Sequence, residues 1–96
     1  MLALALAAGC GDTTFLFAFN SGVIVGPPSC TGPGGHFQLR DQAGLVLLVV
    51  ITSDTVIVLA NGGSGRCADL ATNAQVGVDG GQRGDQITAK TVTVTG

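Results

Sequence analysis

The stretch that most limits what this chain can fold into is Gly44–Ala60, which reads Gly-Leu-Val-Leu-Leu-Val-Val-Ile-Thr-Ser-Asp-Thr-Val-Ile-Val-Leu-Ala. Leu45–Ile51 contains seven consecutive apolar residues, far short of the roughly 20 that a membrane-spanning helix needs. Ser53 and Asp54 block any extension. Val46, Val49, Val50, Ile51, Val56, Ile57 and Val58 are β-branched, a shape that suits a pleated sheet and loses rotamer freedom in a helix. Gly44 and Asn61-Gly62-Gly63 punctuate the two ends, as turn residues do. Gly44–Ala60 therefore reads as two strands with a tight connection. Because each run is continuous, both faces are expected to be at least partly covered, as in the wall of a small closed barrel or the core of a sandwich.

Ninety-six residues make one domain with a single modest core. Glutamate, tyrosine and tryptophan are absent and glycine occurs 16 times, so turns and strands are favoured over helices. Four basic residues stand against six acidic ones, for a net charge of −2. No basic block exists to hold a phosphate backbone, and nucleic acid is not an expected partner.

The chain opens Met-Leu-Ala-Leu-Ala-Leu-Ala-Ala-Gly-Cys-Gly. Small apolar residues ending in Leu6-Ala7-Ala8-Gly9-Cys10 resemble the end of a bacterial lipoprotein signal, where cleavage precedes a cysteine whose thiol is then lipidated. The box has one alanine more than the commonest form, and no Lys or Arg precedes the apolar run. The competing reading is a hydrophobic first strand or helix over Leu2–Ala8. On the lipoprotein reading residues 1–9 are a signal remnant, 10–18 a tether and the start of the first strand, and 19–96 the folded domain. The partner of Cys10 would be a membrane.

Phe15, Phe17 and Phe19 alternate with Leu16 and Ala18, which is strand periodicity. Three of the four aromatic residues lie here, and they are expected to form the heaviest block of the core. The other reading is a stacking platform for bases or sugars. The strand continues through Val23-Ile24-Val25, with Gly22 permitting a bend or bulge. Gly26–Gly35 holds all three prolines and reads as a surface loop. His36–Arg40 alternates and turns through Asp41–Gly44 into Leu45–Ile51, a hairpin. Arg66–Ala71 has room for one or two helical turns. Gln75–Asp79 reads as a strand, Gly80–Gly84 as a turn and Asp85–Thr95 as the last strand. There Ile87 and Ala89 fall out of phase with Val92 and Val94, and a bulge near Lys90-Thr91 would reconcile them.

Three strands, a short extra one, a helical turn and two more strands is the order of an OB-type barrel. The fold expected is all-β, a small OB-like barrel of five or six antiparallel strands with one short helical turn. Gly22-Val23-Ile24, Phe37-Gln38-Leu39, Thr55-Val56-Ile57, Asp69-Leu70, Val76-Gly77-Val78, Gly80 and Ile87-Thr88-Ala89 with Val92 and Val94 resemble a family of small bacterial envelope domains of unknown function with an OB-like fold. The resemblance covers roughly Phe19–Val94. It implies the fold and the compartment, and carries over no catalytic residue. Such domains place a glycine two to three residues before the fourth main strand. Thr72-Asn73-Ala74 stands there instead, and Asn73 is able to take the same left-handed conformation.

Gly63-Ser64-Gly65-Arg66-Cys67-Ala68 fits the Gly-x-Gly-x-x-Gly/Ala dinucleotide pattern, but too little chain precedes Gln75 for the full helix and second parallel strand that the pattern requires. His36 is the single histidine and no Cys-x-x-Cys occurs, so no metal or cofactor is implied. Arg83-Gly84-Asp85 is an integrin-type tripeptide that a turn would expose. No nucleophile with a base and an orienting group is recognisable, and no enzyme is expected. With Cys10 taken by lipid, Cys30 and Cys67 are left as an even pair in an oxidising compartment, and a disulfide between them is expected. The function expected is a non-catalytic envelope lipoprotein or secreted module, structural or binding a protein or glycan partner. The alternative is a small-ligand or oligosaccharide binder using the barrel face near His36, Arg40 and Lys90.

Overall fold

The computed structural model describes residues 16–32 and 34–96. Seven strands follow in chain order: β1 (Leu16–Thr31), β2 (Gly34–Asp41), β3 (Val46–Ile51), β4 (Val56–Val58), β5 (Ser64–Gly65), β6 (Gln75–Arg83) and β7 (Gln86–Val94). A 3-10 turn, Cys67–Asp69, the one helical turn among the described residues, separates β5 from β6.

The order β3-β2-β1-β6-β7, with a further pairing of β3 to β7, closes five strands into a barrel. This is the OB-type arrangement read from the sequence. All neighbours in the ring are antiparallel except at the closing seam, where Leu48–Val50 lies parallel to Gln86–Thr88. Beyond the seam β4 takes over the same edge of β7, also in parallel, and β5 pairs with β4.

The alternation in β2 sends Phe37 and Leu39 into the interior and His36, Gln38 and Arg40 outward. They meet Ile24, Leu47, Val49, Val78, Ile87 and Val92, all 4% exposed or less. Lys90 is the extra residue of a bulge: Asp79 pairs with Thr91 and Gly80 with Ala89. One added residue flips the pleat, so Ile87, Ala89 and Val92 all reach the core, as the phase break predicted. Gly80 sits where a Cβ would lie 2.1 Å from the Thr88 carbonyl oxygen, so the bulge needs glycine. Asn73 takes φ 72°, the left-handed conformation expected of it. Its N–H donates to the Ile24 carbonyl at 2.8 Å, and the Ile24 N–H donates to the Ala74 carbonyl at 3.0 Å.

Several expectations are corrected. Phe17 and Phe19 are each 67% exposed and are not the heaviest block of the core; Phe15 lies outside the described residues. Ile24 fixes the inward parity of β1, and the odd-numbered residues therefore face out. The outer face of β3 is partly covered, as its continuous apolar run implied: Val46 is 46% and Leu48 36% exposed, while Val50 is half-buried. The expected Gly26–Gly35 loop is mostly strand, since Ser29, Cys30 and Thr31 pair with His36, Gly35 and Gly34. Gly26-Pro27-Pro28 forms an irregularity between Val25 and Ser29, a place where proline's missing N–H costs no ladder bond. Gly22 marks no bulge; it lets β2 approach, because a Cβ there would meet the Arg40 carbonyl oxygen at 2.1 Å. Gly80-Gly81-Gln82 belongs to β6, leaving Gly84-Asp85 as the hairpin tip with Gly84 at φ 61°.

Candidate functional site

The expected site residues fall in three places. Cys10, the expected lipidation site, lies outside the described residues. Cys30 on β1 and Cys67 in the 3-10 turn form a disulfide with a Cα–Cα distance of 5.7 Å. Cys67 is buried, while Cys30 is exposed. The turn carrying Cys67 is pinned at its start, where the Arg66 N–H donates to Asp69 Oδ2 at 2.8 Å and the Asp69 N–H to the Arg66 carbonyl at 2.8 Å. Gly35 makes room for the bridge, since a Cβ there would lie 2.9 Å from Cys67 Sγ and 2.2 Å from the Ser29 carbonyl oxygen. This use of Cys67 and the strand at Ser64–Gly65 leave no helix for the dinucleotide pattern to open.

His36 and Arg40 both project from the outer face of β2 and are exposed. Beside His36 is a recess of 300 Å³ shared with Val25, Gly26, Pro27, Phe37, Gln38 and Leu48. It lies where β1 breaks its register and runs from β1 across β2 to Leu48 on β3. Arg40 is not part of the recess wall.

Lys90 stands apart from both, on β7. Its Nζ lies 5.9 Å from the centre of the Phe17 ring, within cation–π range. Phe17 pairs with Gly81 and Phe19 with Asp79 across the β1–β6 ladder. The Phe19 ring leans over Gly77, where a Cβ would come within 2.8 Å of it. Asp79 Oδ1 is buried without a hydrogen-bond partner. Next to Phe17's partner Gly81, a second recess of 330 Å³ is bordered by Arg83, Gln86 and Thr88.

The sequence grouped Lys90 with His36 and Arg40 and assigned the phenylalanines to the core, whereas Lys90 lies beside the exposed Phe17 ring. A signal was present: Gly77 and Gly81 stand on one face of a strand, either side of Asp79, and a strand glycine leaves a bare backbone on which a neighbouring aromatic ring can rest. Among the described residues no group of three His, Cys, Asp or Glu side chains converges on a point where a metal ion could sit. Compared with protein-family models, curated proteins and solved structures, the chain matches none.

Proposed function

We propose that this chain is a non-catalytic module of the bacterial cell envelope, held to a membrane by a lipid on Cys10 or secreted, and serving a structural or partner-binding role. The observation that carries the reading is the Cys30–Cys67 bridge. Structural disulfides persist in oxidising compartments and are rare in the cytosol, and small exported domains use them to supplement a limited core. The Leu6–Cys10 box agrees with the same route. So does the resemblance of Phe19–Val94 to small envelope domains of unknown function.

Expression behind a complete upstream signal tests the proposal: labelled fatty acid is expected on Cys10, and the protein is expected in the membrane fraction. A soluble product that keeps residues 1–9 would refute the anchor.

The recess beside His36 favours one second reading, a small-ligand or oligosaccharide binder. Its exposed imidazole and the Gln38 amide offer hydrogen bonds, while Pro27 and Leu48 offer apolar contact. A thermal-shift screen of the Cys10→Ser chain against glycans, nucleotides and metals separates the two. Stabilisation by a glycan that His36→Ala abolishes would favour the binder, and no stabilisation by any of them would favour the structural module.

A further inference from the structure

The outer face at the start of β1 is used by neither reading. Phe17 and Phe19 keep 67% of their surface in water, although single-domain proteins seldom leave adjacent aromatic rings uncovered without a reason. Residues two apart on a strand share a face, so both rings point the same way. Gly81 opposite Phe17 has no side chain to cover that ring, and the Phe19 ring, opposite Asp79, lies over the bare backbone of Gly77. Lys90 approaches the Phe17 ring. Arg83 lies on the same face of β6 as Gly81, two residues along the alternation. Two of the chain's four basic residues therefore lie on this side, Lys90 against Phe17 and Arg83 beside Gly81 in the adjoining recess.

We infer that this face docks on the surface of an anionic lipid bilayer, with Phe17 and Phe19 entering the interface and Lys90 and Arg83 meeting headgroup charge. Exposed aromatic side chains with basic neighbours are the composition of interfacial anchors, in which apolar burial and attraction to anionic lipid add. The position in the chain fits that occupant. Six residues separate Cys10 from Phe17, a span of at most about 25 Å when fully extended. An acyl chain on Cys10 would hold this face close to the bilayer. Asp79 shares the face, but its Oδ1 is sealed from solvent.

The inference takes its geometry from the proposed anchor, so the test removes the anchor. The full chain carrying Cys10→Ser, with its disulfide intact, is sedimented with vesicles of phosphatidylglycerol and phosphatidylethanolamine, and with vesicles of phosphatidylcholine alone. Binding to the anionic vesicles is expected at low salt, falling as salt rises. Phe17→Ser with Phe19→Ser is expected to weaken it about tenfold or more, and Lys90→Gln with Arg83→Gln by a smaller factor while removing most of the salt dependence. Val46→Ser, on the outer face of β3 and outside the His36 recess, is expected to leave it unchanged. No binding to anionic vesicles at low salt overturns the inference, as does binding that survives loss of both phenylalanines. Retention on a glycan or dimerisation that the same variants abolish, in place of vesicle binding, assigns the face to that partner and also overturns it. Failure of fatty-acid labelling alongside intact vesicle binding would remove the anchor and leave this face as the membrane contact.

Discussion

β1 and β2 each alternate large apolar residues, Phe17 and Phe19 in the one and Phe37 and Leu39 in the other, and place them on opposite sides of the barrel wall. In His36-Phe37-Gln38-Leu39-Arg40 the residues between the apolar ones are polar or charged, so only one orientation avoids burying a cation and an imidazole. Phe37 is 2% exposed as a result. In Leu16-Phe17-Ala18-Phe19 the intervening residues are apolar too, and either orientation would bury hydrophobic surface. The parity is then decided from further along the strand, where Ile24 is fully buried. Alternation fixes a strand, and only the chemistry of the alternate residues fixes which face turns inward.

The comparison breaks most visibly at the two phenylalanines themselves. Phe37→Ala is expected to cost about 3–5 kcal/mol, the range for emptying a packed aromatic site, and chemical denaturation of the oxidised domain measures it. Phe37→Ala behaving like a surface change would mean that β2's orientation is misread.

The next largest effect separates the second half of β1 from the first. Replacing Cys30 and Cys67 by serine opens a loop with 37 residues of sequence separation, and about 3–4 kcal/mol is expected to be lost in the chain-entropy account. Intact mass after alkylation without reductant tests the bridge in the unaltered chain: label on both cysteines would contradict it.

Gly80→Ala sharpens the account of the bulge that brings Ile87, Ala89 and Val92 to one side. Its Cβ would meet backbone on β7, so a loss of more than about 1 kcal/mol is expected, whereas Gly84→Ala tests only the strain of the hairpin tip. Equal, negligible effects at both would show that the bulge tolerates rearrangement.

The smallest effects are expected at the exposed pair. Phe19→Ala should cost up to about 1 kcal/mol through its lost contact over Gly77, and Phe17→Ala no more than about 0.5 kcal/mol. A large loss at Phe17 would show that its ring serves the fold.

What was legible in the sequence was whatever a single residue or a local pattern determines. β-branched runs marked β3 and β4, and the phase break between Ala89 and Val92 marked the bulge. Asn73 marked a left-handed position, and an even cysteine pair marked the bridge. The misreadings share one cause, which is that pairing partners lie far away in sequence. Ser29–Thr31 reads as loop because of its prolines and glycines, yet β2 pairs with it across the Gly32 turn. Gly80 and Gly81 read as turn because nothing local tells a glycine required by a neighbouring backbone from one required by a bend. The candidate site was less legible than the fold: Lys90 was singled out, but its neighbours Phe17 and Asp79 come together only through the β1–β6–β7 pairings.

The parallel seam between β3 and β7 bears on how the molecule is made. Leu48–Val50 must wait for Gln86–Thr88, so the ring cannot shut until the last strand has been synthesised. Until then β3 presents an open edge with apolar residues on its outward side, a surface prone to pair with other chains. Long-range pairings of this kind also make folding slow compared with helical domains of equal size. Formation of β7 therefore has to precede closure, and whatever delays it lengthens the exposure of the β3 edge.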